Sequence, residues 1–519
     1  MAEEHSQMYK NVGKAEQETS RRRRTETTIQ LRREKRGNEL NKRRNIDETA
    51  EYESEVSDYE KDKNQIQYSF AEARKILTEN PSIDDLRNVF TFLRKQLSRP
   101  KNVPLDEIVQ EGLVQALVQG LNVDDTKVQY ESAWALTNVV SGESHHTQAA
   151  VNCGATQGLI KTAYIEDDAL AEQCFWGVAN IIGDCAQLRD HAIECGFLDV
   201  FTHYVTKKLS TIKISFVRTL AWVCTNLCRH KQPQISIKHV ALILPFIKKF
   251  LEFNDPATQQ DSCWALSYLS DSNDENLDLI AKADILPVVR NLLGSKIPEM
   301  LGPAVRVFGN FTSGNDSHTQ SVIALGILPR DIPGIFQSAS QKVVKEVLWL
   351  LSNVLAGTPA QIQAVIEARL VPHILQYLRR GDFRVQTEAA WGISNLCHSG
   401  TREQVYFLAT LQPFQYLVPL LNIRHVDFIT HILSIIKSVL GAVAALNPEH
   451  LDEYKQSFEE AGGIDAVEEL QNHENAAIYE LCFEIIQTYF SDDDEENVLP
   501  GAPPKGDAET EINKPVFNF

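Results

Sequence analysis

Six short stretches of the chain repeat one pattern: AWALTN, FWGVAN, AWVCTN, CWALSY, LWLLSN and AWGISN, built on Trp134, Trp176, Trp222, Trp264, Trp349 and Trp391. Together they hold all 6 Trp of a 519-residue chain. In five of them an Asn follows the Trp by four residues: Asn138, Asn180, Asn226, Asn353 and Asn395. Tyr268 takes that place in the remaining stretch. A spacing of four is about one helical turn, so each Trp and its Asn share a helix face. The steps from Trp to Trp are 42, 46, 42, 85 and 42 residues. The long step divides in two if Arg306, followed four residues on by Asn310, stands where a Trp is missing.

A period in the low forties, helical in pattern throughout, belongs to HEAT and armadillo arrays. No unit of that length buries its own apolar face. Stacked units share one continuous core and leave a long concave groove. The expected fold class is therefore all-α, a solenoid with three helices per repeat. The Trp-bearing helix closes each repeat, because Gly142, Gly183, Gly314, Gly357 and Gly400 follow it where a left-handed helix cap is expected. A repeated Trp also suits core packing. Arg at one of the positions, and the cost of burying a partnerless Asn on the same face, favour the groove.

Net charge is −19, placed very unevenly. Residues 21–46 carry eleven Lys/Arg against three Asp/Glu, a local +8 that leaves the remainder near −27. A basic arm on an acidic body suits nucleic acid or acidic protein surfaces, the chain's own included. The acidic body opposes the first. The division expected is an arm at 1–60, a linker at 61–68, the solenoid at 69–490 and a disordered acidic tail at 491–519. Thr27 and Gln30 offer a capping box, so the basic stretch is expected to become helical on an acidic partner. The acidic stretch 47–67 that follows it is long enough to let the arm fold back.

Nine Cys occur without a CxxC pair or a His/Cys cluster of metal spacing, and Cys224 and Cys228 read as helix packing. With a polar N-terminus that lacks a signal peptide, they point to a reducing compartment. HVALILPFIKKFL is too short to span a membrane and is broken by Pro245; no other apolar run reaches the length. No nucleophile elbow, phosphate loop or metal cluster is present, and His145 and His146 read as surface residues of a loop. The chain is not expected to be an enzyme or to carry a cofactor, and neither membrane nor direct nucleic-acid binding is expected.

A Trp ladder offers π faces to cations, and its slots take the aliphatic stems of Lys and Arg. A row of Asn, each with donor and acceptor, can pair with the backbone of an extended peptide. Repeats about a helix diameter apart, roughly 10 Å, correspond to about three residues of extended chain. Carboxylates at similar offsets from the ladder fit a cationic ligand: Asp184, Asp261, Asp271, Glu346 and Glu388.

These motifs, with the basic LRREKR and KRRNI, the repeats ESAWALTN, CWALSY and EAAWGISN, and the ending QNHENAAIYELCFEIIQTYF, resemble the importin-alpha family over about 20–492. The resemblance implies a right-handed solenoid of about ten armadillo repeats behind an importin-beta-binding segment. It implies a nuclear import adaptor for mono- and bipartite nuclear localisation signals, shuttling between cytoplasm and nucleus. The major signal site would use Trp134, Asn138, Trp176, Asn180, Trp222 and Asn226 of repeats two to four, with Asp184, Thr147 and the Gly142 carbonyl as the lysine pocket and Gln173 and Asp261 as further contacts. The minor site would use Glu346, Trp349, Ser352, Asn353, Glu388, Trp391 and Asn395 of repeats six to eight, with Asp316 and Thr319 of repeat five. Arg21, Arg22, Arg23, Arg24, Arg32, Arg33, Lys35 and Arg36 would bind importin-beta. Lys42, Arg43 and Arg44 would act as an internal signal in the major site. A nuclear export receptor would contact 464–490, and nucleoporins are a further candidate partner. Arg306 would either repel cationic side chains between the two sites or pair with a groove carboxylate. Ser438, read as the repeat-eight position where the family offers Asn, would weaken the minor site. An adhesion or signalling scaffold of the beta-catenin type is the alternative; its basic groove would take acidic peptides, opposite in sign to this one.

Overall fold

The computed structural model describes Lys42, Arg43, Asn45 and residues 68–491 except Lys296. The residues expected to bind importin-beta, the Thr27–Gln30 box, Arg44, the acidic stretch 47–67 and the tail beyond 491 lie outside the described residues.

Among the described residues all regular structure is helical, beginning at Phe70 and ending at Tyr489. One helix in each repeat carries the ladder or its equivalent. These are α1 (Ile83–Leu97), α2 (Thr126–Val139), α3 (Asp168–Asp184), α4 (Ile214–Cys228), α5 (Pro256–Ser270), α6 (Pro298–Thr312), α7 (Gln341–Leu355), α8 (Phe383–Ser399), α9 (Val426–Leu446) and α10 (Ala476–Tyr489). The described residues form two compact units, one ending at Gly357 and one starting at Thr358. In the first, α1 to α7 pack each on the next; in the second, α8 packs on α9 and α9 on α10.

The stacking follows from apolar faces one turn apart. Ala133 and Leu136 of α2, Val178 and Ile181 of α3, and Leu220 and Val223 of α4 are fully buried. Each large aliphatic among them contributes about 1.5–3 kcal/mol. Single carboxylates register neighbouring repeats. Asp125 caps α2 by accepting from Val128 N–H and also takes Arg87 of α1 at 2.6 Å. Asp255 does the same for α5, accepting from Thr258 N–H and taking Arg218 of α4 at 2.7 Å. A side chain that both starts a helix and binds the preceding repeat fixes the offset between them.

Four expectations need correction. The left-handed glycines are Gly112, Gly154, Gly196, Gly326 and Gly462, each the residue before a middle helix, and none of the five expected. Gly183 lies inside α3. Gly142 and Gly314 are required by space instead: a Cβ there would come within 2.8 Å of His146 and 2.6 Å of His318. Pro245 does not break its segment, which is one helix from Ile237 to Leu251. Proline removes one internal hydrogen bond, and packing of Val240, Ile243, Leu244 and Ile247 keeps the helix whole. Helix α9 is 21 residues long and apolar enough to match a membrane span by length and composition. Its apolar residues pack against α8, α10 and the helix Arg402–Thr410, and Thr430, His431, Ser434, Lys437 and Ser438 interrupt the apolar run in sequence. Finally, Ser438 lies on α9, the ninth ladder helix, where its hydroxyl donates to Ser434 O at 2.8 Å. The eighth is α8, which keeps both Trp391 and Asn395. Asp316 and Thr319 likewise follow the sixth ladder helix.

Candidate peptide-binding groove

On α2 and α3 the Trp and Asn of each pair act together on one stretch of backbone. Asn180 accepts from Arg43 N–H at 2.9 Å and donates to Arg43 O at 3.0 Å; Trp176 Nε1 donates to the same oxygen at 2.8 Å. Asn138 accepts from Asn45 N–H at 2.9 Å and donates to Asn45 O at 2.9 Å, joined by Trp134 Nε1 at 3.0 Å. Alternate residues are thus read identically, and the segment is extended. It runs against the order of the repeats. It advances two residues per repeat rather than three.

Backbone reading fixes the segment, and side-chain pockets fix its charge. Lys42 Nζ donates to Gly142 O at 3.0 Å and Thr147 Oγ1 at 2.7 Å, and sits 2.5 Å from Asp184 Oδ1. Lys42 is 8% exposed. Burial pushes its ammonium below the ordinary Lys value, against the opposing pull of Asp184. Desolvation of the ammonium thus outweighs the pull of Asp184. Arg43 places its guanidinium on both oxygens of Asp261, at 3.0 and 3.1 Å, and 4.6 Å from the Trp222 ring centre. Asn45 donates from its side chain to Gln173 Oε1 at 2.8 Å.

Ten of the eleven residues expected in the major site meet Lys42, Arg43 or Asn45. Asn226 does not: its Nδ2 donates to Ala179 O at 3.0 Å, and its buried Oδ1 has no hydrogen-bond partner among the described residues. The same backward bond recurs from Asn180 to Thr137 O at 3.1 Å, from Asn310 to Ser267 O at 3.1 Å and from Asn353 to Gly309 O at 3.3 Å. Asn138, Asn180 and Asn226 are fully buried. The ladder Asn is thus a core residue as well as a ligand-facing one. One amide hydrogen holds the preceding repeat, and on α2 and α3 the rest of the group faces the segment.

The residues of the second group divide between the units. In the first, Glu346 is taken by Arg306 at 2.8 and 3.2 Å, so Arg306 pairs with a groove carboxylate. Trp349 lies on Gly309, where a Cβ would come within 2.2 Å of its ring. Ser352 donates to Trp349 O at 2.8 Å, and Thr319 to Thr312 O at 3.3 Å. Asp316 is exposed in the first turn of the helix Asp316–Ala324. In the second unit, Glu388, Trp391 and Asn395 share α8, with Trp391 4.0 Å from the His431 ring. Asp271 pairs with Lys231.

Three contributors escaped the sequence. Arg94 stacks 4.6 Å from the Trp134 ring centre while bonded to Glu131 at 2.7 Å, so the chain supplies its own cation there. Asn45 extends the bound segment past its basic residues. His146 is neither exposed nor in a loop: it is 4% exposed, in the helix Ser144–Asn152. A repeated GxxxHTQ, at Gly142–Gln148 and Gly314–Gln320, was the available signal.

An all-helical repeat array whose Trp/Asn ladder holds an extended cationic segment defines a peptide-binding armadillo solenoid. Comparison with known proteins agrees. The importin beta binding domain matches residues 5–133, an armadillo/beta-catenin-like repeat residues 358–398, and an atypical Arm repeat residues 452–503. Importin subunit alpha-2 of Caenorhabditis elegans is 40% identical over 94% of this chain and 92% of its own. Importin subunit alpha-3 of that organism is 35% identical over 97% and 95%. Importin subunit alpha-4 of Arabidopsis thaliana is 32% identical over 83% and 79%. An engineered protein of known crystal structure shares the fold, with a TM-score of 0.70 at 21% identity over 82% of this chain and 100% of its own. The chain belongs to the importin-alpha family of nuclear import adaptors. It carries an importin-beta-binding domain, and its class is that of transport factors moving between cytoplasm and nucleus.

Proposed function

We propose that the ladder on α2 to α4 is the receptor surface for Lys/Arg-rich nuclear localisation signals, and that the chain's own segment from Lys42 occupies it until importin-beta draws the arm away. The observation that carries this reading is the paired recognition of Arg43 and Asn45 backbone by Asn180 and Asn138, beside Lys42 in the Asp184 pocket. Those contacts read any extended backbone, while Asp184 and Asp261 select cations, so a cargo signal fits in the same register. Asn226 Oδ1, buried and unpartnered among the described residues, is the next acceptor along the ladder.

Arm and cargo then compete for one surface. Tethering gives the arm a high local concentration. Anything that binds the arm favours cargo, and cargo favours arm release by the same factor. The arm residues Arg21 to Arg24, Arg32, Arg33, Lys35 and Arg36 carry the importin-beta contact in this account, with 1–60 as arm, 61–68 as linker, 69–490 as solenoid and 491–519 as tail. In the second group, Trp349 with Asn353 in the first unit and Trp391 with Asn395 in the second each repeat the pair that reads backbone on α2 and α3, and each pair would read the backbone of a basic segment. The account assigns no chemical step to the chain. It places an export receptor at 464–490. The test is the affinity of a Lys-rich signal peptide for the full chain against a chain starting at Tyr68: tighter binding by the shorter form supports competition by the arm.

A further inference from the structure

The Lys42 pocket stands on a turn whose geometry is fixed by a histidine. His146 is the third residue of its helix and accepts from Glu143 N–H through Nδ1 at 3.1 Å, in the place a Glu or Gln usually takes in a capping box. With Nδ1 an acceptor, the neutral ring carries its proton on Nε2, which donates to Asp106 Oδ1 at 2.9 Å. Asp106 comes from the helix Leu105–Gln110 of the same repeat as α2, so the ring bolts the turn to the body of that repeat. The ring fills the space beside Gly142, whose carbonyl takes the lysine. The next residue, Thr147, supplies the hydroxyl.

The arrangement occurs a second time in the first unit. His318 accepts from Asn315 N–H at 3.3 Å, bonds Asp278 Oδ1 through Nε2 at 2.8 Å, fills the space beside Gly314 and precedes Thr319. In two other turns the capping position holds Gln with an apolar successor: Gln361 before Ile362, and Gln404 before Val405. In both histidine turns the successor is a threonine. Asp106, His145 and His146 also bring donor atoms within 4.8 Å of one another, as a metal site would. The proton on His146 Nε2 occupies the atom a metal would need, which speaks for the hydrogen-bonded role.

We propose that His146, held by Asp106, is a positioning residue for lysine recognition: it sets the Gly142 carbonyl and Thr147 hydroxyl at the spacing an ammonium requires, and His318 with Asp278 does the same for Gly314 and Thr319. This rests on the reading of the groove given above. The test uses the full chain and two labelled peptides spanning residues 40–48, one natural and one carrying Lys42→Ala. The ratio of their dissociation constants on one protein reports the pocket alone, because competition by the arm cancels. Asp184→Asn is the reference for the pocket itself, and an unchanged ratio there would refute the groove reading rather than this one. With that reference lowered, His146→Ala is expected to shrink the ratio about tenfold, and His146→Gln, which restores the cap, to keep it within about twofold. Asp106→Ala, at an exposed position that does not threaten folding, is expected to shrink it about threefold. An unchanged ratio in His146→Ala and Asp106→Ala, or failure of Gln to rescue despite a native melting temperature, overturns the proposal.

Discussion

Lys42→Ala should open the groove of the full chain. In the occupied state the Lys42 ammonium makes an ion pair with Asp184 and donates two further hydrogen bonds, to Gly142 O and Thr147 Oγ1, all three with a charged donor. A hydrogen bond to a charged group contributes about 1.5–3 kcal/mol. Desolvation offsets much of this, as the lowered Lys42 pKa records. A net loss of roughly 2–3 kcal/mol lowers the ratio of closed to open forms about 30- to 150-fold. If self-occupancy raises the apparent dissociation constant of a signal peptide by any smaller factor, the substitution removes nearly all of that rise. Fluorescence anisotropy of a labelled Lys-rich peptide, titrated with the wild-type and substituted full chains, measures it. The substituted chain should bind within about twofold of a chain starting at Tyr68. If Lys42→Ala left the full chain unchanged while the Tyr68 chain bound more tightly, the contacts of Lys42 would not be what holds the arm, and the reasoning from the pocket would fail.

Two further predictions concern the scaffold. Arg306 and Glu346 are both largely buried, with side chains 17% and 12% exposed, so Arg306→Met leaves Glu346 only the longer contact to Lys345 at 3.8 Å and should cost about 3 kcal/mol in the urea transition of the first unit. Adding Glu346→Leu should recover most of it; a single variant as stable as wild type would contradict a pairing role. Asp255 is held at a pKa of about 2, chiefly by Arg218, with Thr258 adding to it against the effect of burial. A carboxyl depressed in the folded state stabilises above its unfolded value, about 3.9, and that contribution is lost as pH falls through the folded value. Asp255→Ala should therefore cost about 2 kcal/mol at neutral pH, and the difference from wild type should shrink between about pH 4 and pH 2. A difference independent of pH across that window would refute the assignment.

The ladder was legible because its period and its one-turn spacing are physical necessities of a stacked helix and survive without coordinates. The carboxylates that meet Lys42 and Arg43 were legible too, since Asp184 and Asp261 stand within about two helical turns of a ladder Trp. What stayed hidden depends on contacts between repeats. That Asn180 spends one hydrogen on Thr137 O cannot be read from spacing, because the partner lies 43 residues away. Gly142 looked like a helix cap and is instead the space a histidine ring needs. His146 looked like a surface residue because its partners, Glu143 N–H and Asp106, are joined only by the turn. Ser438 was misplaced because α9, the ninth ladder helix, has no Trp to mark it.

The central claim is that one surface binds the arm and the cargo signal. Its most direct measurement is the affinity of a Lys-rich signal peptide for the full chain, for the chain starting at Tyr68, and for each form carrying Asp184→Lys. The account predicts tighter binding by the shorter chain and loss of binding in both Asp184→Lys forms. Equal binding by the two wild-type forms would contradict occupancy by the arm. Binding that survives Asp184→Lys would contradict the placement of the signal site itself.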